Sequence, residues 1–239
     1  MTLSLNNAWF VDRGVGKGVL TTAINNSPPG EITVVTGEKK SGSAAATTVV
    51  LVVTANVGDT LLAWVYSHDD TVTSVTAASG VSLGFTARGS ASTHLKFFIG
   101  RVDSAMVGVN VTATVSGTNG ASFIVLPIRG AYNSTMAFFD PNSALPFHNG
   151  PNDSTGQNSS ITTTNPRTML VYACAAKGPL VNLTDPSGWT GIANTGYVNA
   201  DLATWYKLVN AAQNGLAVAA GTSDAHETES YGDAINGQL

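Results

Sequence analysis

From Val109 to Val115 the chain alternates strictly, with Val109, Val111, Ala113 and Val115 on one side of an extended backbone and Asn110, Thr112 and Thr114 on the other. A period of two puts one face of a strand in a core and the other in water. From Val49 onward, short runs of β-branched and aromatic residues alternate with Gly, Asn, Ser and Asp turns, the habit of an all-β chain. These runs predict strands near 49–53, 60–66, 72–75, 93–102, 107–115 and 122–128, then near 160–163, 168–173, 202–209, 216–220 and 230–235. No stretch sustains a helical period. Residues 202–212 come nearest, and Trp205-Tyr206 among β-branched neighbours favours a strand there.

The two series of strands match each other. Gly58-Asp59-Thr60-Leu61-Leu62-Ala63-Trp64-Val65 aligns with Pro166-Arg167-Thr168-Met169-Leu170-Val171-Tyr172-Ala173 at a shift of 108 positions, and Phe97-Phe98 aligns with Trp205-Tyr206 at the same shift. Val102 answers Val209, Val109 answers Leu216, Phe123 answers Tyr231, and Gly84-Phe85-Thr86 answers Gly188-Trp189-Thr190. The fold class this implies is a large antiparallel β-sandwich, jelly-roll-like, with two similar halves at about 45–131 and 159–236. A single domain over 41–239 is preferred, because each half alone would leave a sheet with an exposed apolar face. Residues 141–158, rich in Pro, Asn, Ser and Gly, read as a long surface connection between the halves. Residues 1–40 are broken by Gly14, Gly16, Gly18, Pro28, Pro29, Gly30 and Gly37 and cannot form a core alone, so they read as an extended N-terminal arm, with Trp9, Phe10 and Val11 as its docking residues.

Composition narrows the partners. Charged residues are 11% of the 239, against roughly 25% in ordinary soluble proteins, and 11 basic against 15 acidic side chains give no electrostatic footprint for nucleic acid or an anionic membrane. The expected partners are other protein surfaces or neutral glycans. Cys174 is the single cysteine, set in the apolar run Val171-Tyr172-Ala173-Cys174-Ala175, so no intrachain disulfide forms and a reducing site of synthesis fits. The first residues lack the basic stretch and apolar run of a secretory signal. The longest uncharged stretch, Ser104 to Ile128, is interrupted throughout by Asn, Ser, Thr and Gly and does not read as a membrane span.

Chemical motifs are few. Gly80-Val81-Ser82-Leu83-Gly84 matches the G-x-S-x-G string of serine hydrolases, but that mechanism needs a strand, a strained turn and a helix, and nothing helical follows. Gly14-Val15-Gly16-Lys17-Gly18 lacks the spacing of a phosphate loop. His68-Asp69-Asp70 and the His226, Glu227, Glu229 group contain metal-ligand types without a full ligand set, so no metal and no cofactor are expected. Glu227 and Glu229 share one face of a strand, which does not suit a distinct acid and base.

Gly-Asp-Thr-Leu-Leu, then Gly-Phe-Thr or Ser187-Gly188-Trp189-Thr190, then Trp205-Tyr206-Lys207-Leu208-Val209, together resemble a β-sandwich module of jelly-roll or lectin-like type found in virion proteins of tailed bacteriophages and in some secreted bacterial proteins. The resemblance covers about Val49 to Ile235. It implies a non-enzymatic structural role on a capsid or tail, of decoration, fibre or adhesin type, with the protein made in the host cytoplasm and carried in the virion. Its partners would be other virion proteins and further copies of itself. The alternative is a carbohydrate-binding module recognising cell-surface glycans. Sugar rings stack on flat aromatic faces, which makes Trp64, Trp189, Tyr197 and Trp205 the candidate contacts.

Overall fold

The computed structural model describes residues 32–89, 92–131, 138–178, 183–197 and 199–237. The chain is all-β. Its strands are β1 (Thr33–Val34), β2 (Lys40–Ala44), β3 (Thr48–Ala55), β4 (Thr60–Tyr66), β5 (Val72–Ala77), β6 (Phe85–Arg88), β7 (Leu95–Arg101), β8 (Met106–Val115), β9 (Ala121–Arg129), β10 (Phe147–Ile161), β11 (Thr168–Ala176), β12 (Thr190–Tyr197), β13 (Ala200–Val209) and β14 (Leu216–Asn236).

They form three antiparallel sheets. The central one runs β1-β9-β4-β7-β6, with β2 also on β9; an outer sheet runs β3-β8-β5; the third runs β10-β14-β11-β13-β12. Strand β4 shows why the central sheet is covered on both faces. Leu61, Ala63 and Val65 point into a core shared with Val49, Leu51 and Val53 of the outer sheet, while Leu62, Trp64 and Tyr66 point into a second core shared with Met169, Val171 and Ala173 of β11. Each of the larger side chains among these contributes about 1.5–3 kcal/mol on burial, and a strand buried on both faces must be apolar throughout rather than alternating.

A third core lies on the far face of β11, where Leu170, Tyr172 and Cys174 meet Trp189, Trp205, Ile161, Val218 and Ala220. It closes because β14 serves two layers. Its residues Thr228 to Asn236 pair with β11, whereas its earlier residues pair only with β10 and turn back over that face. The Tyr172 hydroxyl donates to the Gln157 carbonyl at 3.1 Å and ties the layers.

The expected duplication is present in strand order, since β9-β4-β7-β6 is answered by β14-β11-β13-β12. Side by side, however, the aligned residues do not occupy equivalent places. Trp64 faces the core between the halves, and its partner Tyr172 at shift 108 faces the opposite side of its own sheet. A slip of one residue exchanges the faces of a strand, so the true side-chain equivalence is one position off the string match. Two expected boundaries also move. Most of the expected surface connection 141–158 is strand β10, because β14 supplies its ladder and Pro151 falls at the register shift between Asn149 and Asn152. The sheet also begins ahead of position 41: Thr33 and Val34 pair with Arg129 and Ile128, so the last described residues of the expected arm belong to the sandwich.

Candidate functional site

The four aromatic candidates do not gather on a surface. Trp64 is wholly buried with its ring 5.0 Å from Phe97. Trp205 is buried against Tyr172 at 5.8 Å, and its Nε1 donates to Asp185 Oδ1 at 2.6 Å. Trp189 is buried beside the same tyrosine. This corrects the expectation of glycan contact at these three positions: strands β4 and β11 are covered on both faces, so the large aromatic side chains beside them fill cores. Tyr197, 38% exposed, is the one of the four that reaches solvent. Trp9, Phe10, Val11 and the Gly14 to Gly18 string lie outside the described residues.

The structure instead brings together polar residues that are far apart in sequence. The turn after β4 carries His68, Asp69 and Asp70; the approach to β7 carries Ser92 and His94; β14 presents Glu227 and Glu229 from alternate positions, hence from one face. His68 stands between two carboxylates, with Nδ1 2.7 Å from Asp69 Oδ1 and Nε2 2.9 Å from Glu227 Oε2. Asp69 also faces Lys177 Nζ at 3.7 Å. Two motifs that looked separate in the sequence are therefore one network. Glu229 is buried, accepts from the Ser92 hydroxyl at 2.7 Å and lies 3.1 Å from His148 Nε2. The His94 ring stacks near His68 at 6.1 Å, and its Nδ1 lies 3.0 Å from the Ser67 carbonyl. Among the described residues no three His, Cys, Asp or Glu side chains converge as a metal site.

The electrostatics follow from these partners. Burial alone would raise the Glu229 carboxyl, but hydrogen bonds from His148 and Ser92 and the charges of His148 and His94 outweigh it and hold the group below the usual range. Asp69 goes the same way: its slight burial is overcome by the hydrogen bond and charge of His68, helped by Lys177. Tyr66 is pushed well up by burial and by Glu229 and Glu227 nearby, and among the described residues its hydroxyl has no hydrogen-bond partner.

A second buried charge lies further along the same seam. Asp233 accepts from Arg88 Nε at 3.0 Å and from the Tyr231 hydroxyl at 3.0 Å, and the Arg88 guanidinium sits 4.1 Å over the Phe139 ring. Burial dominates here and raises the Asp233 carboxyl despite the pull of Arg88. Between the two networks is a cavity of about 260 Å³ lined by Arg88, Ser92, Lys96, Phe147, His148 and Tyr231. It is smaller than the roughly 300–1,000 Å³ of ordinary ligand pockets.

These contacts tie the two halves of the chain together. His68, Asp69, Arg88 and Ser92 come from the first half, and Glu227, Lys177, Asp233 and Glu229 from the second, so each pair crosses the seam. Asp70, the third member of its motif, accepts from the Asn119 amide at 3.0 Å and pins a turn. Ser82 of the G-x-S-x-G string sits in the turn between β5 and β6, where its hydroxyl donates to Asp103. Arg88, Ser92, His148 and Asp233 were not legible as site residues. Only Asp233, a lone charge inside Tyr231-Gly232-Asp233-Ala234-Ile235, carried a signal. Comparison with protein-family models, with curated proteins and with solved structures finds no match.

Proposed function

We propose that this protein is a non-enzymatic structural component of a tailed-phage virion, made in the host cytoplasm, displayed on the capsid or tail and anchored through the segment ahead of Ile32. The observation that carries the reading is the outer sheet. No residue of β3, β5 or β8 is charged, and Val50, Val52 and Val107 stand 50%, 54% and 82% exposed on it. Surfaces of this kind suit contact with other protein subunits. The polar clamp supports the same reading, because a body that is gripped by neighbours must hold its own halves in register.

The arm is the part that incorporation tests. Deleting residues 1–31 should leave the thermal melt of the sandwich close to that of the full chain and abolish recovery of the protein in purified particles by mass spectrometry. Normal incorporation of the truncated, folded protein would remove the anchoring claim, and absence of the full chain from particles would remove the virion claim. The carbohydrate-binding alternative retains Tyr197 alone among its four aromatics, and a glycan array with a Tyr197→Ala control tests it.

A further inference from the structure

Strand β3 ends its sheet: it pairs with β8 on one side, and among the described strands none pairs with its other edge. Exposed edges of this length are ordinarily blunted by lysine, proline or an inward charge. Here the edge reads Thr48-Val49-Val50-Leu51-Val52-Val53-Thr54, without charge or proline. The string is also the same in both directions about Leu51. Two antiparallel copies of a strand related by a two-fold axis pair residue i with j and j with i, so only a palindromic sequence sets like against like at every position. With the axis at Leu51, Val50 falls opposite Val52 of the second copy, Val49 opposite Val53, and Thr48 opposite Thr54.

We propose that β3 pairs edge to edge with β3 of a second copy of this chain, antiparallel about Leu51, joining two three-stranded sheets into one of six. This deepens the assembly reading given above and rests on it for its biological setting. Three observations converge on that occupant. The net charge of −4 makes two copies repel in general, and this uncharged sheet is a place where like charges do not meet. Val50 and Val52 are the exposed apolar residues of the strand, and the two-fold brings them together as cross-strand Val–Val pairs. In its own sheet Val52 lies beside Gly108, which offers no side chain to cover it. An eight-residue strand is far smaller than the roughly 20–30 residues a side of a standard interface, so the pairing is weak in dilute solution and strengthens where copies are concentrated.

The register makes the proposal testable. Val50→Cys and Val52→Cys variants of the full chain are prepared separately, then oxidised alone and as a mixture at high protein concentration. The mixture should give more cross-linked dimer than either variant alone, because position 50 lies opposite position 52. Native Cys174 adds no background, being fully buried with its thiol pushed up to about 12 by that burial. Val52→Lys should abolish the dimer seen by sedimentation while leaving the melting temperature unchanged. A wild-type chain that stays monomeric at the highest soluble concentration would overturn the proposal, as would cross-linking of Val50→Cys alone in preference to the mixture. So would a Val52→Lys chain that melts lower with no change in association, since the edge would then be covered by the chain's own leading segment. None of these outcomes depends on particle incorporation, which separately decides the virion reading.

Discussion

The sharpest consequence of the charged seam concerns Glu229. Replacing it with alanine removes the acceptor of the Ser92 hydroxyl and the partner of His148 at 3.1 Å, in a place with almost no solvent. Breaking a buried pair from one side costs about 3–5 kcal/mol. The lower figure applies, because Ser92 still accepts the His94 and Leu95 amides at 2.9 and 3.0 Å and stays partly satisfied. For a chain of 239 residues a loss of about 3 kcal/mol lowers the melting temperature by about 6–12 °C. Glu229→Gln keeps an acceptor oxygen and loses only the charge. Charged hydrogen bonds exceed neutral ones by about 1–1.5 kcal/mol, so this variant should melt about 2–6 °C below wild type.

The pH dependence separates charge from packing. The folded protein holds the Glu229 carboxyl below its ordinary value, so its contribution is full above the unfolded value of about 4.3 and is lost as pH falls through the lower folded value. Calorimetry from about pH 5 downward should therefore show the gap between wild type and Glu229→Gln closing as pH falls below about 4.3. The gap between wild type and Glu229→Ala should shrink but not vanish, because the packing defect remains. Equal melting temperatures for wild type and Glu229→Gln at pH 7, or a gap unchanged through the acid titration, would refute the clamp.

Two other perturbations follow from the same geometry. Arg88→Ala should cost about 3 kcal/mol, because it strands a buried carboxylate, and the double variant Arg88→Ala with Asp233→Asn should recover part of that loss; urea denaturation of the four proteins of the cycle measures it. Trp64→Ala should cost about 3–5 kcal/mol by opening the core between the halves, whereas Tyr197→Ala, at a partly exposed position, should cost only about 1–2 kcal/mol, a contrast that thermal melts read directly.

What the sequence disclosed depended on range. Alternation in 109–115 and uninterrupted apolar runs at 61–66 and 169–173 marked the strands, because side-chain burial leaves its trace within a few residues. The repeated strand order was visible as well. The face each strand presents was not, since the matched strings differ by one residue in phase and only the packed cores reveal it. Strand β10 was hidden because its Asn, Ser, Gly and Pro carry no strand preference; it is held by the ladder of β14. The seam escaped for another reason. His68 and Glu227 are separated by most of the chain and Ser92 from Glu229 by 137 positions, so no local pattern marks them as partners. The tryptophans misled in the opposite sense, being flat enough for sugars and large enough for cores.

A low count of charges turns out to reflect where they are placed. Asp59, Asp70, Asp140, Asp201, Glu229 and Asp233 are all buried. Asp140 accepts the amides of Asn142, Thr164 and Asn165, and Asp59 holds Arg129 at 2.7 Å, so these carboxylates act as internal pins at turns and seams. The outer sheet carries no charge in its strands, so its contacts must rest on backbone ladders and valine side chains. Such contacts do not weaken as salt screens charge, while general repulsion between copies of net charge −4 does. Self-association through β3 should thus persist or strengthen as sodium chloride is raised, as sedimentation velocity at low and high salt would record. Dissociation with rising salt would mean that ion pairs hold the copies together, and the neutral edge could not then be the contact.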